Sequence, residues 1–172
     1  MVTLLLFLAE VASGICRPSN GSDKINWLEG FSGTFFTPDY PVPYPNDAMC
    51  NWIISVRFGK RVKLKFEDFD FAPVSSSCKK HTNEKDYVQI GSGQVQGKNA
   101  LALYCGNAAD SALDVYSTGS YMWVKFYSIS SNRSERSKGF KAYFEAVDPR
   151  KYCSFFLSKY SIYVKPYPKY LF

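Results

Sequence analysis

The chain has 172 residues and a net charge of +6; 46% of it is apolar, and its 14 Phe, 13 Tyr and 3 Trp stand beside five Cys and one His. That apolar and aromatic load excludes a disordered chain. The length suits one domain with a short extension, and a single His excludes His-rich zinc chemistry.

The N-terminus reads as an address. Met1 is followed at once by the apolar run Val2-Thr-Leu-Leu-Leu-Phe-Leu-Ala9, then by small residues ending at Gly14. This is the pattern of a secretory signal peptide over residues 1–14. No Lys or Arg precedes the run, and the competing reading is a buried N-terminal strand. No stretch reaches the ~20 apolar residues of a membrane span. Asn20-Gly21-Ser22 and Asn132-Arg133-Ser134 are acceptors for N-glycan in a secreted chain, so Asn20 and Asn132 are expected glycosylation sites.

In an oxidising compartment Cys16, Cys50, Cys78, Cys105 and Cys153 should mostly be paired. Four cysteines admit three pairings. Their order along the chain favours Cys16–Cys50 and Cys78–Cys105, leaving Cys153 unpaired or available for an intermolecular bond. No C-x-x-C is present, so neither a zinc knuckle nor a thioredoxin-like site is supported.

The middle of the chain alternates. Val62, Leu64 and Phe66 interleave with Arg61, Lys63, Lys65 and Glu67. Met122, Val124 and Phe126 interleave with Trp123, Lys125 and Tyr127, and Phe140, Ala142 and Phe144 with Lys141, Tyr143 and Glu145. Period two predicts half-buried strands. Further strands are predicted at 33–36, 51–56, 87–90, 100–104 and 112–117, with Gly-, Ser-, Asn- and Pro-rich turns between them. Many short strands with turn signals predict an all-β fold, an antiparallel β-sandwich.

In order, the landmarks are Gly33-Thr-Phe-Phe-Thr-Pro-Asp-Tyr-Pro-Val-Pro-Tyr-Pro45, Cys50-Asn-Trp-Ile-Ile54, Val62-x-Leu-x-Phe66, Phe69-Asp-Phe71, Cys78, Asp86-Tyr-Val-Gln-Ile90, Tyr104-Cys-Gly106, Val124-Lys-Phe-Tyr-Ser128 and Gly139-Phe-Lys-Ala-Tyr143. The series resembles a CUB domain over roughly residues 16 to 147. The resemblance implies a CUB-like jelly roll with two sequential disulfides, and a domain spanning residues 15–147 after the leader. The stretch between Cys16 and Cys50 is longer than the first family bridge, which suggests an insertion around residues 19–28 or a different first cysteine. CUB domains are binding modules, so the resemblance implies no catalysis and no cofactor. It implies extracellular partners, either a protein or an acidic glycan, in a matrix or a mineralised matrix. The alternative is one module of a mosaic CUB-containing protease or receptor.

Many CUB domains bind calcium through a Tyr, a Glu and two Asp. By resemblance Tyr44 and Asp86 stand at two of those positions. Ala72 replaces the Glu, Ile129 replaces the second Asp, and Ser131 and Asn132 match minor ligand positions. Asp70 is the acid nearest to the lost Glu position, two residues before Ala72. With two of three carboxylates gone, no metal is expected.

Other chemistry is weaker. Arg61, Lys63 and Lys65 share one strand face and form a candidate polyanion contact, set against an ordinary solvated face of mixed charge. Gly91-Ser-Gly-Gln-Val-Gln-Gly97-Lys98 lacks phosphate-loop spacing and reads as a hairpin loop. His81 lies in a polar stretch with no activated serine in view, and nucleic acid has no motif. Residues 148–172 form a basic aromatic tail. Residues 147–172 carry five Lys or Arg against Asp148, so most of the +6 lies there and the domain itself is near neutral.

Overall fold

A computed structural model describes residues 11–13, 17–18, 24–71, 78, 85–106, 114–129 and 137–150. Among these, eleven strands form two facing sheets. The first holds β1 (Val11–Ser13), β4 (Ser32–Phe36), β11 (Gly139–Val147), β6 (Arg61–Asp70) and β9 (Val115–Tyr116), in that order. The second runs β2 (Arg17–Pro18), β5 (Ala48–Ser55), β10 (Tyr121–Tyr127), β7 (Tyr87–Ser92) and β8 (Ala100–Tyr104). A further strand, β3 (Ile25–Glu29), adds to β5.

The long pairings β11–β6, β11–β4, β10–β5 and β10–β7 are antiparallel. Two pairings are parallel, β1 on β4 and β3 on β5. The sandwich is therefore not wholly antiparallel. Val11–Ser13 lies within the segment read as a leader, and its backbone pairs with Thr34–Phe36.

The core explains the aromatic composition. Phe35, Trp52, Phe71, Phe126 and Phe140 are fully buried between the sheets. Phe35 lies 5.7 Å from Phe140 and Phe66 lies 5.3 Å from Phe140, centroid to centroid and edge to face. Edge-to-face pairs of this kind add about 0.5–1.5 kcal/mol beyond area burial. On β6 and β11 alternation sends Val62, Leu64, Phe140, Ala142 and Phe144 inward.

A bulge resets β6. Lys141 pairs with Asp68 and the next residue, Ala142, with Phe66, so Glu67 is the extra residue. One inserted residue shifts the faces of all that follow. Hence Phe66 and Phe69 both face the core although they are three apart, and Phe71 follows. Asp70 is turned out, where its Oδ2 accepts the Lys138 backbone N–H at 3.0 Å.

Cys78 and Cys105 are bonded to each other, 27 residues apart in sequence. Cys50 is fully buried and disulfide-bonded; Cys16, its expected partner, lies outside the described residues, as does Cys153.

Candidate functional site

The loop between β4 and β5 is rich in proline, and Tyr44 lies within it. The loop is pinned at several points. Tyr44 N–H donates to Ser137 O at 3.2 Å. The Tyr44 ring sits edge-on to Phe126 and Phe71, with centroids at 5.2 and 5.8 Å. Ser128, just past β10, donates its hydroxyl to Pro45 O and accepts the Ala48 N–H, both at 2.8 Å.

The ring of Tyr44 is thus held by the core while its hydroxyl reaches the end of the sandwich. There Tyr44 Oη donates to Asp86 Oδ2 at 2.7 Å. The other carboxylate oxygen, Asp86 Oδ1, accepts the Ile129 backbone N–H at 2.8 Å. Asp86 is only 5% exposed. Its carboxylate ties the proline loop, the start of β7 and the end of β10 into one corner. Hydrogen bonds to a charged acceptor contribute about 1.5–3 kcal/mol each, and a buried carboxylate without them would be costly.

A second tyrosine–carboxylate pair stands beside the same loop. Tyr40 Oη donates to Asp68 Oδ2 at 2.7 Å, and Lys138 Nζ approaches the same oxygen at 3.4 Å. The Tyr40 hydroxyl and, next, the Lys138 charge hold the Asp68 carboxyl below its ordinary pKa, while the same bond raises Tyr40. Sequence alternation misses this pair, because the bulge at Glu67 decides where Asp68 points.

The candidate polyanion strand is neutralised at its middle cation. Lys63 Nζ lies 3.1 Å from Asp114 and 3.2 Å from Glu145. These bonds, Asp114 first, raise the Lys63 pKa. Lys141 pairs with Glu67 at 2.9 Å on the same sheet face. Arg61 and Lys65 flank Lys63 along β6 with no carboxylate within ion-pair distance among the described residues. The structure therefore does not gather the three cations into one bare patch.

The outer face of the other sheet holds a residue whose burial alternation does not foretell. Trp123 alternates with the core residues Met122 and Val124, yet it is fully buried. Its ring covers Gly91 on β7, and its Nε1 donates to Lys98 O at 2.8 Å. The Gly91–Lys98 stretch is thus the end of β7 and a hairpin loop that closes over an indole, with no phosphate cradle.

A family model for the CUB domain matches residues 24–144. The chain belongs to the CUB family. The match begins within the stretch 19–28 and includes β3. The chain is 33% identical over 117 residues to rat "Discoidin, CUB and LCCL domain-containing protein 2", covering 68% of this chain and 14% of that protein. It is 36% identical over 127 residues to mouse "Complement C1r-B subcomponent", covering 67% and 16%. Among solved structures it is similar to the CUB1-EGF-CUB2 domains of rat MASP-1, with a TM-score of 0.58 and 34% identity over 72% of this chain and 43% of that one. It also resembles the MASP-1 CUB2 domain bound to Ca2+, with a TM-score of 0.57 and 26% identity over 70% and 97%. The chain thus spans 14 to 24% of the first curated relatives, and its CUB domain is homologous to modules of larger extracellular proteins.

The calcium-bound neighbour poses a direct question of fit. A hard dication needs six to eight oxygens, several of them charged. Of the expected ligands, Tyr44 and Asp86 are brought together, and they hydrogen-bond to each other. Ile129 supplies a hydrocarbon side chain where the resemblance calls for a second Asp, and its N–H occupies Asp86 Oδ1. Asp70 is turned away towards Lys138. Among the described residues no group of three or more His, Cys, Asp or Glu is placed to hold a metal. The donor set described does not fit calcium. Ala72, Ser131 and Asn132, like Asn20 and His81, lie outside the described residues.

Proposed function

We propose that this CUB domain is a non-catalytic extracellular binding module that holds its partner without calcium. The reading is carried by one observation: in a family whose calcium-bound member is a structural neighbour, both oxygens of Asp86 are taken by Tyr44 and Ile129. The hydrogen-bonded corner takes over the ordering role that a cation would have, so the loops need no metal to keep their shape.

The partner is an extracellular protein, with an extracellular-matrix setting, and a mineralised matrix within it, as the narrower proposal. An acidic glycan on Arg61, Lys63 and Lys65 is disfavoured by the two carboxylates on Lys63. Replacing all three by Gln should leave retention on a heparin column unchanged; clearly earlier elution would restore the glycan reading.

A second reading rests on the small share of each relative that the chain spans: one module of a longer mosaic protease or receptor. Mass spectrometry of the native secreted product separates the two. A product whose C-terminal peptide ends at Phe172 supports the first. A much larger product containing the same peptides supports the second.

A further inference from the structure

The edge of the second sheet is formed by β3, and its geometry is unusual. β3 runs parallel to β5, with Ile25 opposite Asn51, Trp27 opposite Ile53 and Glu29 opposite Ser55. In a parallel pair, alternate residues direct both backbone groups at the neighbouring strand. Gly30, which continues β3, donates its N–H to Ser55 O at 3.2 Å. The even-numbered residues therefore face β5. The side chain of Asn26 joins the same seam, with Nδ2 donating to Asn51 O at 3.1 Å. It follows that the N–H and C=O groups of Ile25, Trp27 and Glu29 point away from β5. Among the described residues no strand pairs with that side.

The same three residues carry the side chains of the outer sheet face. Leu28 turns inward and is 8% exposed, whereas Ile25 is 38% and Trp27 51% exposed. Phe31, just beyond the strand, is 62% exposed. Natural edges are usually blunted by lysine, proline or a bulge. β8, at the opposite edge, has such a bulge in its pairing, between Ile90 and Gly91 of β7. The ladder between β3 and β5 is regular, and the outward positions carry Ile, Trp and, at the end of the strand, Glu.

Charge narrows the choice of occupant. On the first sheet Lys63, Lys138 and Lys141 are each paired to a carboxylate, whereas Arg61 and Lys65 have no such pairing among the described residues. Around the second sheet, Lys24 precedes β3, Lys125 lies across Asn51 from Ile25, and Lys98 lies in the loop over Trp123. None of these three has a carboxylate within ion-pair distance among the described residues. Glu29 is the acidic residue within the strands of this sheet. A row of unpaired peptide groups recognises an extended polypeptide, with alternate side chains supplying specificity. The amines favour acid on it.

The geometry points to β3 as a docking edge: an extended acidic segment of a partner protein adds as a further strand alongside Ile25, Trp27 and Glu29. This rests on the reading of the domain as a protein-binding module and specifies where and how it binds. The acidic positions of the segment fall towards the Ile25 end, near Lys24 and Lys125, and its apolar side chains lie on Trp27.

Two end-capped decapeptides test it on the full chain, one alternating glutamate with valine, the other lysine with valine. Residue-resolved amide exchange is read by NMR. The Glu–Val peptide should slow exchange at Ile25, Trp27 and Glu29 at least tenfold at saturation, and the Lys–Val peptide should not. Trp27→Pro removes an outward N–H, which an edge position tolerates, and should abolish binding while the melting transition persists. If that variant fails to fold, Trp27→Val keeps the edge and should only weaken binding. Equal protection by both peptides, protection elsewhere or none at millimolar peptide would overturn the proposal. So would slow exchange at these amides in the peptide-free chain, which would mean that its own residues 151–172 or a second copy already fill the edge; sedimentation tells these two apart. A native partner whose footprint lies on another surface would sink this edge while leaving the binding-module reading intact.

Discussion

Gly91 and Trp123 offer a sharp test of the packing. A Cβ built at Gly91 falls inside the van der Waals envelope of the Trp123 ring, at Cε2, Cζ2 and Nε1. The indole cannot simply swing aside. It is fully buried and its Nε1 is bonded to Lys98 O. Gly91→Ala must therefore displace the ring or push β7 from β10. Overpacking costs about 1–3 kcal/mol, and breaking the buried indole hydrogen bond adds about 1–3 kcal/mol. Together the loss should be about 2–6 kcal/mol. Trp123→Ala alone should cost about 3–5 kcal/mol through the cavity it leaves. In the double variant the added methyl has no ring to strike. Chemical denaturation of the four proteins should then give a coupling energy of at least about 1 kcal/mol, with the double variant more stable than the sum predicts. Additive losses, or a Gly91→Ala cost below about 0.5 kcal/mol, would refute the close approach.

Other expectations follow from bonds already described. Cys78→Ala should destabilise the domain by about 3–4 kcal/mol, because the Cys78–Cys105 bridge closes a loop of 27 residues' separation; a lower urea midpoint with a steeper slope, from the more expanded unfolded chain, would check it. Thr37 is fully buried, donates its hydroxyl to Lys138 O at 3.1 Å and accepts the Phe140 N–H at 3.1 Å, so Thr37→Val should cost about 1–3 kcal/mol in thermal or urea melts. The lowered pKa of Asp68 gives stability that is present above the unfolded carboxylate value near about 4 and is lost as pH falls through the folded value. Asp68→Asn should therefore flatten the acid limb of the melting temperature below about pH 4, and an unchanged limb would show that Asp68 does not contribute to acid sensitivity.

Much of the fold is legible in the sequence because alternation reports burial directly. Val62, Leu64, Phe66 and Met122, Val124, Phe126 mark the core face of their strands, and the structure packs all six between the sheets. Alternation fails where the backbone departs from period two. The extra residue at Glu67 reverses the face of Asp68 to Phe71, and with it the Tyr40–Asp68 bond. It also fails where the outer face is itself covered. Trp123 reads as an exposed position and is buried by the loop that ends at Lys98. β3 escapes the sequence because its apolar residues Ile25 and Trp27 face outward while only Leu28 is inside. At the candidate site, the residues Tyr44 and Asp86 are readable from motif positions. That they bond to each other, with Ile129 closing the second oxygen, is a matter of loop geometry that no spacing encodes.

In the function proposed for it, the Tyr44–Asp86–Ile129 corner orders this CUB domain in place of a cation. Calorimetric melts in millimolar calcium and in excess chelator test it most directly. A resident site at a hundredfold its dissociation constant would add about 2.7 kcal/mol, which raises the melting temperature of a chain this size by roughly 5–11 °C. Coincident transitions, within about 1 °C, are expected, with a lower transition for Asp86→Asn in both buffers alike. A calcium-dependent rise of several degrees that disappears in Asp86→Asn would contradict this role of the corner.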